Sequence, residues 1–249
     1  MTGDQYIAVI VCDTIIPGFE EFGDFGDLGI KLLQNGGMKL NFKKYHAILE
    51  ELPSSEDILK IKGFYITGSR SDSFSDDGWI LKLIEFIRSI VKIYHKPIVG
   101  VCFGLQIINI AFGGKVCRNP QGWEAGIQKI KLNENLSKNF FFKNYFKKNI
   151  NLIEMHKDYI YSLPDEKYDF INIGSTIYCK IQGIYSLKCK ILTVQGHPEF
   201  SKQFSNKIIE LVFRKTNPEL CEKFLELNAN SENEGALIGE SFVNFLMNE

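Results

Sequence analysis

The first half of the chain alternates short, continuous apolar runs with segments of helical periodicity. Residues 6–12, 61–67 and 98–101 are runs rich in β-branched and aromatic side chains. Runs of this kind are typical of strands that are buried on both faces of a parallel sheet. From Trp79 to Tyr94 apolar residues recur every three or four positions, which predicts an amphipathic helix.

The order of these segments predicts the fold class. A helix-compatible stretch follows the first run, and a second strand is expected over residues 39–45. Strand, helix, strand and helix at this spacing predict an α/β fold with a doubly wound, mostly parallel sheet. Ligands of such sheets bind beyond the carboxyl ends of the strands. The turns that begin at Asp13, Gly68 and Cys102 are therefore the first candidates for chemistry.

The second half of the chain has a different character. Short strand-like pieces are predicted at residues 126–132, 151–155, 171–178, 183–186 and 191–194. A polar stretch rich in Lys, Asn and Phe over residues 133–149 is expected to be a surface excursion. Helical periodicity returns after residue 200. We therefore predict one domain over residues 1–200 and a C-terminal helical extension over residues 201–249 that packs on the same domain.

Composition and charge narrow the class of protein. The 29 basic and 30 acidic side chains nearly cancel, so no nucleic-acid or membrane partner is expected. No apolar run reaches the ~18 residues of a membrane helix, and the N-terminal residues do not resemble a signal peptide. These features predict a cytoplasmic protein. Neither the six cysteines nor the four histidines have metal-ligand spacing, so no disulfide framework, metal site or cofactor is predicted.

The sharpest chemical signal is the heptapeptide GVCFGLQ at residues 100–106. Glycines two positions before and after Cys102 let a strand and a helix pack closely around a sharp turn, the geometry of a nucleophile elbow. At a helix N-terminus, backbone N–H groups and the helix dipole favour a thiolate. The amide of Phe103 is then placed to donate to an oxyanion. The alternative is a buried cysteine with a purely structural role.

A candidate base follows the last predicted strand. Residues 191–194 deliver His197 at the carboxyl end of the sheet, and Pro198 favours an extended conformation at His197. Glu199 therefore projects to the same side as His197 and can orient the imidazole as the third member of a triad. An ordinary loop histidine is the alternative. Gly68 can present its own or the next amide as a second oxyanion donor.

Together these segments resemble a known family. In this order, Cys102-x-Gly104-x-Gln106, His197-Pro198-Glu199 and the Gly68 turn resemble the class I, triad-type glutamine amidotransferases over roughly residues 6–200. Residues 66–69, 74–80, 122–126 and 155–158 resemble the stand-alone members, which include plant γ-glutamyl peptidases and their fungal relatives. The resemblance implies a flavodoxin-like sheet with a small antiparallel accessory sheet. It also implies a glutamyl-thioester intermediate on Cys102.

The resemblance assigns a role to each candidate residue. Cys102 is the implied nucleophile, His197 the general base and acid, and Glu199 the residue that orients His197. The implied oxyanion amides are those of Phe103 and of Ser69 or Gly68. The implied substrate-binding residues are Gln106, Trp123, Glu124, Gly126 and His156. Arg70, Arg118, Glu124 and Asp158 are the candidates to recognise the charged α-groups of a glutamyl moiety.

Two positions depart from the family pattern. Leu105 occupies a position where many relatives carry a polar or aromatic residue, and an altered pocket shape is expected. Ser69 follows Gly68 where synthetase-linked members more often have a second glycine. Ser69 can still donate its amide, but transfer of ammonia to a partner is less favoured.

Three functions are compatible with the sequence. The favoured one is a free-standing hydrolase of γ-glutamyl amide or peptide bonds that acts on glutamine or a γ-glutamyl peptide. The second is the amidase subunit of a two-chain enzyme that feeds ammonia to a separate synthetase partner. The third is a non-catalytic binding or regulatory module that keeps the elbow as a scaffold.

Overall fold

The computed structural model describes residues 5–134 and 148–248. Its strands are β1 (Tyr6–Val11), β2 (Asn41–His46), β3 (Ile61–Ile66), β4 (Ile98–Val101), β5 (Lys115–Arg118), β6 (Glu124–Leu132), β7 (Asn149–His156), β8 (Asp158–Ser162), β9 (Ile171–Asn172), β10 (Gly174–Ser175), β11 (Gly183–Ser186) and β12 (Ile191–Val194). Its helices are α1 (Phe25–Asn35), α2 (Ser55–Lys60), α3 (Gly78–Ser89), α4 (Phe103–Ala111), α5 (Lys202–Phe213), α6 (Pro218–Asn230) and α7 (Gly235–Met247).

The central sheet has seven strands in the order β2-β1-β3-β4-β12-β11-β9. The pairs from β2 to β12 are parallel, and β11 and β9 add antiparallel pairs at one edge. Because β12 lies beside β4 and runs parallel to it, the turns that follow Val101 and Val194 lie at the same edge of the sheet. This neighbourhood brings together two segments that are far apart in the sequence.

Helices cover both faces of the central sheet, as expected for a doubly wound fold. Side chains alternate along β1: Ala8 and Ile10 pack on one face with residues of α3 and α4, whereas Ile7 and Val9 pack on the other. The second face is covered by α1 and by α7, whose Phe242 is fully buried. The predicted α/β fold with a mostly parallel sheet is confirmed.

Two small antiparallel sheets lie beside the central one. One contains β10, β6 and β7, and the other contains β5 and β8. The prediction of a single strand over residues 171–178 was wrong, because the chain changes sheets there. Asn172 pairs with Ile184 in the central sheet, while Gly174 pairs with Leu132 in the three-stranded sheet. A Cβ atom on Gly174 would lie 2.7 Å from the carbonyl oxygen of Lys131, so the crossing requires a glycine.

The remaining predicted elements follow the pattern with small shifts. The helix predicted to reach Tyr94 is α-helical only to Ser89 and continues as a π-helical turn over Ile90–Tyr94. The predicted surface excursion at residues 133–149 falls mostly on residues 135–147, outside the described residues. Within the described ranges, no helix is long and apolar enough to cross a membrane. The domain boundary at residue 200 stays a prediction.

Candidate functional site

Cys102 lies in a strained turn between β4 and α4. Its backbone has φ 49° and ψ −107°, a conformation that non-glycine residues rarely adopt. The surrounding glycines are required by packing: a Cβ atom on Gly104 would lie 2.5 Å from the carbonyl oxygen of Ile66, and one on Gly100 would lie 3.2 Å from the carbonyl carbon of Gly104. Such strain costs about 1–3 kcal/mol and is found at functional sites. The elbow predicted from the glycine spacing is therefore present.

The backbone around Cys102 is tied to the neighbouring strand. The amide of Cys102 donates to the carbonyl oxygen of Val194 at 3.0 Å, and the carbonyl oxygen of Cys102 accepts from the amide of Gln106 at 3.1 Å. No side chain of the described residues caps the N-terminus of α4. The first N–H groups of that helix, which include the amide of Phe103, are therefore not consumed by a capping side chain.

His197 follows β12 and is held from two sides. Its amide donates to the carbonyl oxygen of Ile153 in β7 at 2.7 Å. Its Nδ1 atom lies 2.8 Å from Oε1 of Glu199, and the two side chains are only 5% and 1% exposed. The prediction of an extended segment was wrong, because residues 197–200 form a turn in which the amide of Phe200 donates to the carbonyl oxygen of His197 at 3.3 Å. The predicted contact between His197 and Glu199 is nevertheless present. Because Nδ1 is bonded to Glu199, Nε2 is the nitrogen left to face a second group.

That second group is Cys102. Cys102 and His197 line one cavity of about 250 Å³ at the carboxyl edge of the sheet. Gly68 lies between them, since a Cβ atom there would be 2.9 Å from Cε1 of His197 and 3.7 Å from Cβ of Cys102. Any larger residue at position 68 would press on the imidazole, which gives a steric reason for glycine in this turn.

The electrostatics of this pair favour a charged imidazole. Burial lowers the pKa of His197, but the negative charge of Glu199 and interactions with the Cys102 sulfur outweigh burial and raise this pKa from 6.5 to about 10. The surroundings of His197 therefore favour an imidazolium next to the Cys102 sulfur. Glu154 in β7 also interacts electrostatically with His197, which favours the charged form of this carboxyl group.

The predicted substrate-binding residues do not all lie in the cavity. Gln106, Trp123 and His156 line it, as does Ser69. Glu124 is 1% exposed and lies outside the lining. Gly126 has φ +73°, and a Cβ atom there would lie 2.7 Å from the carbonyl oxygen of Phe224 in α6. Its backbone therefore packs against α6, away from the cavity.

Three further residues that the family resemblance singled out are Leu105, Arg70 and Arg118, and the structure shows what each of them contacts. Leu105 is fully buried in the core and is not among the lining residues of the cavity. Arg70 lines the cavity but binds the buried Asp13 through Nε at 2.9 Å and through a terminal nitrogen at 2.6 Å. Arg118 lies 2.8 Å from both Asp72 and Asp158. Both guanidinium groups are thus already partnered by carboxylates.

A buried ionisable cluster lies beside the cavity. Nε2 of His156 is 3.1 Å from Glu124 and 3.2 Å from Glu154, while its Nδ1 is 2.8 Å from the carbonyl oxygen of Asp158. Nε2 of Gln182 donates to Glu124 at 2.9 Å. These contacts hold the imidazole ring in one orientation at the cavity wall.

The pKa values of this cluster reflect burial and mutual attraction. Burial raises the pKa of Glu154 to about 7, although His156 opposes that shift. Burial lowers the pKa of His156, but the two glutamates outweigh burial and hold it well above its ordinary value. Sequence reasoning missed Glu154. The signal was there, because residues 150, 152 and 156 of β7 point inward and position 154 shares their side of the strand.

The chain is similar to amidotransferases in sequence and in fold. The family model for class-I glutamine amidotransferases matches residues 24–216, more than half of the chain. A glutamine amidotransferase-like protein of Schizosaccharomyces pombe is 35% identical over 256 aligned residues, which cover 98% of this chain and 99% of that protein. Gamma-glutamyl peptidase 4 of Arabidopsis thaliana is 31% identical over 194 residues, covering 77% and 74% of the two chains. A glutamine amidotransferase structure from Thermotoga maritima matches with a TM-score of 0.75 at 16% identity, covering 98% and 99%.

Proposed function

Because this chain belongs to the class-I glutamine amidotransferase family, we propose that it is a cysteine-dependent hydrolase of γ-glutamyl amide or peptide bonds. The observation that carries the proposal is the meeting of Cys102 with the bonded pair His197 and Glu199 in one cavity. Similarity to the Arabidopsis γ-glutamyl peptidases supports the choice of bond.

The proposed reaction begins with acyl transfer to sulfur. The Cys102 thiolate attacks the γ-carbonyl carbon, and the carbonyl oxygen becomes an oxyanion. The imidazolium of His197 donates its proton to the departing nitrogen as the carbon–nitrogen bond breaks. The products of this half-reaction are the free amine, or ammonia from glutamine, and a glutamyl thioester on Cys102.

Water completes the reaction. His197, now neutral, takes a proton from water, which attacks the thioester carbonyl. Collapse of the second tetrahedral intermediate expels the thiolate and releases glutamate, and His197 is again an imidazolium. Glu199 keeps Nδ1 bonded throughout, so that Nε2 is the nitrogen that exchanges the proton.

Backbone amides stabilise the two oxyanions in this proposal. Phe103 begins α4, where the N-terminal N–H groups and the helix dipole favour negative charge. Ser69, or Gly68 beside it, supplies the second donor from the turn after β3. Gln106, Trp123 and His156 are proposed to contact the substrate because their side chains line the same cavity, with Gln106 and His156 beside the glutamyl group.

Glutamate release and thioester trapping test the proposal. The wild-type protein should release glutamate from glutamine or from a γ-glutamyl dipeptide, and hydroxylamine should convert the thioester to a γ-glutamyl hydroxamate. Cys102→Ser should abolish both. Cys117→Ser, a change at the half-buried thiol of β5 outside this cavity, is the matched control and should keep both.

Other outcomes would favour the competing functions. Glutamate release only after addition of a synthetase would indicate an amidase subunit that hands over ammonia. If no γ-glutamyl compound is cleaved and an electrophilic γ-glutamyl analogue leaves Cys102 unlabelled, the chain is a binding or regulatory module and the hydrolase proposal is wrong.

A further inference from the structure

The side chains that line the cavity around Cys102 are of two chemical kinds, and each kind is called a wall below. One wall is polar and consists of Ser69, Arg70, Gln106, His156, Lys157 and Asp158. The other is apolar and consists of Ile16, Phe25, Trp123, Ile208, Leu211 and Val212. Cys102 and His197 belong to the same lining, and the two walls meet where Nζ of Lys157 lies 5.8 Å from the centre of the Trp123 ring.

Each wall is continuous through its own contacts. On the polar side, Asp158 is the common partner: its carbonyl oxygen lies 3.4 Å from Nε2 of Gln106 and 2.8 Å from Nδ1 of His156. On the apolar side, Ile16, Phe25 and Ile208 belong to one hydrophobic cluster that Val212 joins. Val212 also joins a second cluster that contains Trp123. Contacts therefore connect five of the six apolar residues, and Leu211 is adjacent to Val212 on α5.

The polar wall suits the glutamyl half of a substrate. A glutamyl group carries an α-amino group and an α-carboxylate, which need charges or fixed dipoles when they leave water. Charged and amide side chains of the cavity are on this wall, and Lys157 and Arg70 remain 39% and 49% exposed at the side chain. If these residues hold the glutamyl group, the apolar residues of the same lining are left to contact the other substituent of its γ-carbonyl.

Ammonia, the leaving group from glutamine, would make no apolar contact with this wall. Ammonia is small and strongly hydrated, and its release would leave the more accessible side chains of this wall, Trp123, Leu211 and Val212, uncovered. Leu211 is 59% exposed, although it lies on a helix whose neighbouring positions Ile208 and Ile209 are buried. An apolar surface that is left open beside a reactive thiol is the ordinary form of a ligand subsite.

We propose that the apolar wall is the subsite for the departing amine, so that the preferred substrates are γ-glutamyl peptides or amides whose amine carries an apolar side chain, such as leucine or phenylalanine. This inference rests on the proposed function. It adds a substrate preference: the cavity should select these compounds over glutamine and over γ-glutamyl compounds with small or acidic amines.

Burial of one leucine or phenylalanine side chain against such a wall changes affinity by about ten- to a hundredfold. We therefore expect kcat/KM for γ-glutamyl-phenylalanine and γ-glutamyl-leucine to exceed that for γ-glutamyl-glycine by about tenfold or more. Glutamine and γ-glutamyl-aspartate should rank at or below the glycine compound. Equal values across the panel, or glutamine as the best substrate, would overturn the inference.

A variant of the wall and a matched control test the assignment to residues. Leu211→Asp adds a carboxylate to the wall at an exposed helix position, and it should lower the phenylalanine-to-glycine ratio of kcat/KM at least about threefold. Leu59→Asp is the control: Leu59 is 71% exposed on α2 and lies outside the cavity, so the ratio should not change. An unchanged ratio in the Leu211 variant would contradict the assignment.

Binding to an inactive variant separates this inference from the proposed function. Cys102→Ser should bind γ-glutamyl-phenylalanine about tenfold or more tightly than γ-glutamyl-glycine in calorimetry. If the wild type cleaves none of the panel, the hydrolase proposal fails, whatever the binding preference. If the wild type cleaves the panel but Cys102→Ser binds both dipeptides equally, the hydrolase proposal stands and the amine subsite is wrong.

Discussion

The ring of Phe200 stacks on the imidazole of His197, with ring centroids 4.0 Å apart and planes inclined by 10°. A face-on aromatic ring limits rotation of the imidazole and favours its cationic form through the ring quadrupole. Phe200 therefore acts on His197 from the side that neither Glu199 nor Cys102 occupies. We regard it as a positioning residue of the proposed reaction.

Phe200→Leu should lower kcat by roughly two- to tenfold, since such a stack is worth about 0.5–1.5 kcal/mol. Loss of the ring also removes a preference for the imidazolium, so the alkaline limb of the pH–rate profile should move to lower pH. Rates measured from pH 6 to 11 check both expectations.

Phe204→Leu is the matched control for that variant. The Phe204 ring contacts Phe200 at 4.3 Å, and the described ring contacts of Phe204 do not include His197. Its substitution should cost comparable stability and leave the alkaline limb in place. A limb that moves equally in both variants would mean that the Phe200 ring affects His197 only through general packing.

Glu199→Gln should move the alkaline limb of the pH–rate profile to lower pH by more than Phe200→Leu does. The negative charge of Glu199 is the largest of the influences that raise the pKa of His197 to about 10. A neutral amide removes that charge, so the imidazolium should lose its proton at a lower pH by about 1–3 units. Activity that requires the imidazolium then fails at a correspondingly lower pH. We also expect kcat to fall far more than KM changes, because the imidazole is misoriented while substrate contacts remain.

The pH–rate profiles of wild type and Glu199→Gln measure this shift. Superimposable profiles with equal kcat would show that Glu199 is not the third member of the triad. Glu232→Gln, at an 85% exposed carboxylate whose ion-pair partner is Lys202, is a charge-matched control and should reproduce the wild-type profile.

Gly104→Ala should destabilise the fold. The added Cβ atom would lie 2.5 Å from the Ile66 carbonyl oxygen, and overpacking of this kind costs about 1–3 kcal/mol. Gly78→Ala is the matched control: at the start of α3, its Cβ atom would meet only Glu50 Oε1 among the described residues, at 3.9 Å. That change should be neutral or stabilise by up to about 1 kcal/mol. Urea unfolding compares the two, and equal losses would contradict the steric argument at the elbow.

His156→Gln should be strongly destabilising at pH 8. It leaves Glu124 and Glu154 buried without their cation, a change that costs about 3–5 kcal/mol. The folded-state pKa of Glu154 is already raised from 4.5 to about 7, and loss of His156 should raise it further. A raised folded pKa means stability that is present below pH 4.5 and is lost as pH rises through the folded value. The free energy of unfolding of the His156→Gln variant should therefore fall as pH rises from 5 to 8.

A second substitution keeps this prediction testable. Adding Glu154→Gln to His156→Gln removes one buried carboxylate and should recover part of the free energy of unfolding at pH 8. His46→Gln, a half-buried histidine at the end of β2, is the control and should change stability little. A pH-independent loss with no recovery in the double variant would indicate that His156 contributes packing rather than charge.

Much of the fold could be predicted from local patterns. Continuous apolar runs located β1, β3 and β4, the 3.6-residue period located α3, and the glycine-flanked turn at Cys102 placed a helix at α4. Burial of these elements determines the residue types at neighbouring positions of the sequence. The prediction of one strand over residues 171–178 failed, because two successive residue pairs bond to different sheets. The hydropathy pattern of a segment does not show which neighbouring strand it pairs with.

The candidate site was predictable to a different degree for each residue. Cys102 was marked by its flanking glycines, and Glu199 by its spacing from His197 across a proline. Phe200 and Glu154 were missed as influences on His197, since stacking and through-space charge depend on contacts that the sequence does not show. The sequence also did not show that Arg70 and Arg118, two candidates to recognise the glutamyl α-groups, are paired with carboxylates from other segments.

The amino-acid sequence alone determined the elements and the chemistry of this protein: a buried parallel sheet, a cysteine at a glycine-flanked turn and a histidine that an adjacent glutamate can orient. Only the tertiary structure decided that β12 lies beside β4, which places His197 against Cys102, and that α5 lines the same cavity with apolar side chains. The reason is physical. Turn geometry and amphipathic periodicity are set by residues a few positions apart, whereas strand order and cavity walls are set by which distant surfaces bury each other best.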